Sequence, residues 1–300
     1  MPEIATNTSP ILPPKEAEEK VISPWKEGWK SFRKNKVALV GLGIVAFFIL
    51  IAIFAPVIAP YSFEGQKLSD KHLAPSAEHW FGTDEFGRDI LSRVIYGSRI
   101  SIGVGFLSVA GSVVVGSFLG IIAGYYGKWI DTIISRVFDI ILAFPSILLA
   151  IAVVAVLGPS LRNALIAIAI VNVPIFGRLL RSRVLTVKEE EYVTAAKAIG
   201  MGDGRILLHH VLPNSLAPII VQGTLAIATA IIECAALGFL GLGAQPPAPE
   251  WGKMLADSRA FIIQAPWTVL FPGLAIMLTV LGFNLMGDGL RDALDPRMKN

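Results

Sequence analysis

Six stretches of about twenty or more mostly apolar residues, joined by polar connections, leave this 300-residue chain few ways to fold. They cover Val37–Ala59, Ile100–Gly124, Thr132–Leu157, Leu161–Leu180, Leu216–Leu242 and Trp267–Leu290. At roughly 1.5 Å per residue, a helix of that length crosses a hydrocarbon core of about 30 Å. A hydrophobic fraction of 54% and a mean hydropathy of +0.64 lie above the range of soluble domains. The expectation is an all-α membrane protein with six transmembrane helices. The third stretch is the least regular. Arg136 and Asp139 sit near its start and Pro145 interrupts it, so its beginning is expected to form an interfacial elbow.

Charge gives the orientation. An even number of spans puts both termini on one side. With the N-terminus inside, the inner segments hold 18 Lys and Arg residues and the outer segments 8. The positive-inside rule therefore predicts cytoplasmic termini and a cytoplasmic loop between the fourth and fifth spans. The pI near 9 belongs to this topology rather than to nucleic-acid binding. Residues 1–23, rich in Pro, Glu, Lys and Ser, read as a disordered tail without the apolar core of a cleavable signal. Residues 24–36, with Trp25, Trp29 and Phe32 among basic residues, read as an amphipathic interfacial helix. The first span is then 37–60, an external segment 61–99, a five-helix core 100–291, and a cytoplasmic tail 292–300.

The loop at 186–213 is polar but not featureless. Thr186 and Glu189 form a capping-box pair, so a helix is expected from there. Tyr192, Ala195, Ala196 and Ile199 follow at i, i+3, i+4 and i+7, which puts them on one face. Gly200, Gly202 and Gly204 are expected to break that helix, and Asp203 to cap a second short one through Ile206, Leu207 and His210. An apolar helical face on a polar loop predicts a helix that docks into another protein's groove.

Here the chain resembles a known family. Ala195, Ala196, Gly200 and the later Leu212-Pro213 are similar to the coupling loop of permease subunits from ABC importers. Thr194 stands where that motif has an acidic residue, with Glu191 three positions earlier, as in the peptide-importer branch. Phe81-Gly82-Thr83-Asp84, Gly87-Arg88-Asp89, Ser92-Arg93 and Tyr96-Gly97-Ser98-Arg99 resemble the external signature of dipeptide and oligopeptide permeases. Ala236 to Gly243, Pro249-Glu250-Trp251-Gly252 and Leu290 to Pro296 resemble the same branch, so the likeness runs from about Arg33 to the C-terminus.

The resemblance implies a type I ABC importer permease fold and several partners. They are a second homologous permease, two ATP-binding subunits that hold ATP and Mg, and an extracytoplasmic substrate-binding protein, in the cytoplasmic membrane of a bacterium or archaeon. No cofactor is expected in this chain. The coupling residues would be Glu190, Glu191, Tyr192, Ala195, Ala196, Ile199, Gly200, Arg205 and Pro213, with Glu189, Glu190 and Arg205 on the polar rim.

The residues offer no engine of their own. No phosphate-binding loop occurs: Gly127-Lys128 is followed by Trp129, and Gly252-Lys253 by Met254. His209 and His210 lack further ligands at metal spacing, the single cysteine, Cys234, excludes an intrachain disulfide, and no nucleophile–base set stands out. Within the spans Glu233 is the costly group, a pore or substrate candidate or else a residue bonded to a neighbouring helix. Asn172, Gln222 and Asn284 are further wall candidates, or interhelical hydrogen-bond donors. Outside, Trp80, Phe81, Asp84, Arg88 and Asp89 are candidates for docking the binding protein or for a structured turn leading into a helix from Asp89. Gly116, Gly120 and Gly124 fall at four-residue intervals and predict close helix packing.

The function expected is ATP-driven import of dipeptides or oligopeptides. Relatives with nearly the same signatures carry nickel complexes, glutathione or opines. The rival class, an ion-gradient-driven secondary transporter, needs several intramembrane ionisable groups, and Glu233 stands nearly alone.

Overall fold

The computed structural model describes residues 24–294; the tail at 1–23 and the end of the chain at 295–300 lie outside the described residues. Eleven α-helices form among the described residues: α1 (Pro24–Phe32), α2 (Lys36–Ile58), α3 (Ile90–Tyr126), α4 (Lys128–Leu142), α5 (Ser146–Leu157), α6 (Leu161–Val187), α7 (Glu191–Ala198), α8 (Asp203–Ile206), α9 (Leu212–Phe239), α10 (Trp251–Ser258) and α11 (Trp267–Leu294). Five uninterrupted helices are long and apolar enough to cross a membrane, and α4 with α5 makes a sixth, bent by 93°. The helices expected from hydropathy are present, most of them extended beyond the apolar runs at one end. The helix expected from Asp89 is continuous with the second span as α3, which starts at Ile90 because Asp89 caps it by accepting from the Ser92 amide. α6 runs on to Val187, so Thr186 lies in its last turn and bonds back to the Ser182 carbonyl instead of capping a new helix.

α8 and α9 are one rod from Asp203 to Phe239, joined by a π-helical turn at Leu207–Val211. Pro213 accounts for that turn: its ring would crowd the carbonyl four residues back, and a widened turn relieves the contact. Gly204 is therefore helical, not a breaker, and Asp203 opens the helix after the Gly202 cap position.

Small residues bring the long helices together. A Cβ at Gly116, Gly120 or Gly124 of α3 would strike the α6 backbone at Val173, Gly177 and Arg181. The glycine face predicted from spacing is thus spent inside the subunit. Gly41 of α2 and Gly282 and Gly289 of α11 do the same for that pair. The main core lies between α3, α5, α6 and α9, around Val109, Val154, Ile168, Phe176, Ile231 and Leu237. At one end of the bundle α1 seats Phe32 on Ala38 and Ala293, while Trp29 stacks on Phe32 at 5.8 Å and stays exposed. That same end carries α7.

Candidate functional site

α7 is short, and its two ends are set by backbone chemistry. Glu190 occupies the N-cap position without capping through its side chain. At the other end Gly200 adopts φ 80°, which lets Met201 N donate to Ala196 O at 3.0 Å and Gly200 N to Lys197 O at 2.9 Å. This paired closure is a Schellman motif, and it needs glycine because a Cβ disfavours that backbone region.

The face of α7 predicted from sequence is split. Val193 is fully buried and Ala196 is 6% exposed, packed on Leu180, Val184, Ile206 and Val211. Tyr192, Ala195 and Ile199 are exposed, Ile199 at 79%. Ala196 therefore belongs to the floor that holds α7 down, together with Val193, which the periodicity had left out. The chain doubles back beneath α7 through α8, and that return creates an apolar floor invisible to a single-helix pattern.

Polar contacts fix the same platform. Tyr125 Oη donates to Asp203 Oδ1 at 2.5 Å, Asn214 Nδ2 donates to Tyr192 Oη at 3.1 Å, and Lys197 lies 5.6 Å above the Tyr125 ring. Glu189, Glu190, Glu191, Arg205 and Pro213 are exposed around it. What α7 offers outward is one apolar knob, Ile199, beside a half-fixed Tyr192 and the small Ala195, ringed by charge.

Of the four polar groups named within the spans, two meet. Asn172 (3% exposed) donates to Ile168 O at 2.9 Å and to Glu233 Oε2 at 3.4 Å, joining α6 to α9; Glu233 is 7% exposed. Gln222 is half-buried and Asn284 exposed, each elsewhere on the bundle. The contact with Asn172 is an interhelical bond of the kind that one reading of Glu233 expected, and the side chain is buried within the subunit.

At the opposite end, of the two readings given to the external residues, the structured turn leading into a helix is the one that forms, and it uses most of them. Asp84 accepts from the amides of Phe86 (2.9 Å) and Arg88 (3.0 Å) and from Arg88 Nε at 2.6 Å. Asp89 accepts from the Ser92 amide and hydroxyl, both at 2.7 Å, and pairs with His79 Nδ1 at 2.9 Å. Asp84, Arg88 and Asp89 are buried, and Phe81 stacks on Phe271 at 3.8 Å. Only Trp80 of the five stands exposed.

Sequence reasoning gave Glu250 no role, and the structure does. Its carboxylate accepts from the amides of Gly252 and Lys253, both at 2.8 Å, and from Ser101 Oγ at 3.4 Å, while Trp251 Nε1 donates to Val94 O at 3.0 Å. Burial pushes the Glu250 carboxyl up from the ordinary carboxylate value. This knot pins α10 to α3 and α9. An acidic residue directly before Trp-Gly at a helix start was the available signal. Arg93 completes the end, donating to Phe63 O at 3.0 Å and Pro247 O at 3.4 Å beside a cavity of about 270 Å³.

A bundle of five long helices and one bent pair, with a short helix held on an apolar floor at one end, defines a permease subunit of the type I ABC importer class. The chain belongs to the binding-protein-dependent transport system inner membrane components, whose family model matches residues 116–300; the N-terminal transmembrane domain of oligopeptide transport permease C matches residues 23–75. It is 66% identical over 291 residues to a dipeptide transport system permease protein of Alkalihalophilus pseudofirmus, covering 97% of this chain and 96% of that one. A di/tripeptide permease of Pseudomonas aeruginosa is 50% identical (93% and 94% covered), and a glutathione permease of Escherichia coli 48% (98% and 96%). An inward-facing structure of the MetNI methionine ABC transporter shares the fold, with a TM-score of 0.54 at 18% identity over 69% of this chain and 98% of that one. The protein is a multi-pass membrane subunit of a multi-subunit ABC importer.

Proposed function

We propose that this permease carries small peptides, with dipeptides as the leading substrate class. One observation carries the reading: 66% identity across 97% of the chain to a relative named as a dipeptide permease. The di/tripeptide relative at 50% and the glutathione relative at 48% fit the same chemistry, since glutathione is itself a small peptide. The chain forms half of the pathway with a second permease. Two ATPase subunits on the α7 side bind ATP and Mg and do the hydrolysis, and a substrate-binding protein docks at the other end. The excess of Lys and Arg on the α7 side supports cytoplasmic termini in the cytoplasmic membrane.

Mechanically, Ile199, Tyr192 and Ala195 enter a groove of the ATPase, and the rim charges of Glu189, Glu190, Glu191 and Arg205 steer the fit. Movement of α7 passes through its floor to α6 and to the α8–α9 rod, because Val193 and Ala196 are packed against both. In this reading Glu233 on that rod attracts a peptide's ammonium group once the helices part, with Asn172 orienting the carboxylate. The test is reconstitution with the partner subunits and binding protein, measuring uptake of a labelled dipeptide. Uptake is expected to require ATP and to survive collapse of ion gradients. Uptake driven by a gradient without ATP hydrolysis, or glutathione transported with dipeptides excluded, overturns the proposal. Glu233→Gln is expected to slow uptake with assembly intact; an unchanged rate removes it from substrate handling.

A further inference from the structure

We infer that α4 is not half of a membrane span but an elbow seated in the headgroup layer of the bilayer, latched to α6 beside the coupling helix. Depth is the first argument. From Leu161 to Leu180, α6 has twenty residues, about 30 Å, which is the thickness of the hydrocarbon core. At that level α4 crosses it. Asp131 receives Arg181 Nη2 at 2.7 Å, Asp139 pairs with Arg178, and the Phe138 ring occupies the space where Gly177 lacks a Cβ. Ion pairs of this kind belong at the boundary of the core rather than inside it.

Direction is the second. α4 meets α5 at 93°, and the stretch from Asp131 to Asp139 meets α6 between Gly177 and Arg181, so α4 crosses α6 rather than running beside it. The third argument is how its faces are distributed. Phe138 and Asp131 face α6; Ile130, Ile133, Val137 and Ile140 form an exposed stripe at i, i+3, i+7 and i+10; Lys128, Thr132 and Arg136 are exposed on a separate polar edge. Trp129, 80% exposed, stands at the seam where an indole prefers to sit between hydrocarbon and water.

The occupant of the apolar stripe is lipid. It continues the exposed apolar surface of α5, where Leu148 and Val156 are bare, and its polar edge holds Lys128 and an Arg136–Asp139 pair at 3.8 Å, groups that sit among headgroups rather than in hydrocarbon. The elbow thereby ties the level of α6, and of the coupling platform at its end, to the membrane surface. This inference rests on the membrane location alone and holds for any substrate.

Spin labels test it in the assembled transporter held in anionic phospholipid nanodiscs. Single cysteines replace Ile133, Ile140, Thr132 and Arg136, the native Cys234 being fully buried and inaccessible to label. Labels at Ile133 and Ile140 are expected to collide several-fold more with oxygen than with a water-soluble nickel chelate, and labels at Thr132 and Arg136 to show the reverse. Val137 replaces Ile133 if that variant fails to assemble. Labels at Ile133 and Ile140 shielded from both reagents mean that a protein subunit covers the stripe, and preferential nickel collisions mean that it faces water. Either result overturns the inference.

Discussion

Ile199 and Val193 lie six residues apart on the same short loop, and the structure gives them opposite jobs. Ile199→Ala removes about three carbons from a side chain that is 79% exposed in this subunit. If docking buries it, the lost transfer energy is about 2 kcal/mol, or roughly 30-fold in the dissociation constant for the ATPase subunit. Nothing inside the permease depends on it, so thermal stability should be unchanged. Val193→Ala removes two methyl groups from a fully buried side chain. Their transfer energy plus a cavity term is again about 2 kcal/mol, but this loss falls on the platform itself. Affinity of the purified ATPase for nanodisc-held permease, read beside the permease's thermal midpoint, separates the two. Equal ATPase affinity for wild type and Ile199→Ala refutes the assignment of the outward face. So does a Val193→Ala variant that keeps its midpoint yet loses affinity as strongly as Ile199→Ala.

Three further outcomes are expected. Gly120→Leu should force α3 from α6, because its Cβ would meet the Gly177 backbone on a helix that cannot yield; overpacking costs about 1–3 kcal/mol and should appear as lost assembly in detergent gel filtration. Glu250→Ala should strip the cap from α10 and orphan two buried amides and a hydroxyl, at about 2–4 kcal/mol, visible as a lower thermal midpoint than for Glu250→Gln. Asp131→Asn should loosen the elbow by about 1 kcal/mol, and exchanging the pair as Asp131→Arg with Arg181→Asp should restore the loss in a stability measurement.

Local chemistry explains what could be read in advance. Long apolar runs fix membrane helices because hydrocarbon leaves no other partner for the backbone, and so the spans, the bent third segment and the close glycine packing were legible residue by residue. The loop motif ending in Gly200 was legible for the same reason: a left-handed closure of a short helix selects glycine whatever surrounds it.

What periodicity could not supply was which side of α7 its own subunit would claim. Ala195 and Ala196 are identical in chemistry and adjacent in sequence, yet one is exposed and the other buried, because α8 returns beneath only one of them. Asp84, Arg88 and Asp89 could be read as a docking surface or as a structured turn, and only the closed turn, which uses every carboxylate oxygen internally, chose between them. Sequence determined the spans and the membrane environment, since both depend on near neighbours and solvent. The tertiary structure decided which polar and small residues remain free for other molecules, since that depends on what distant segments have already covered.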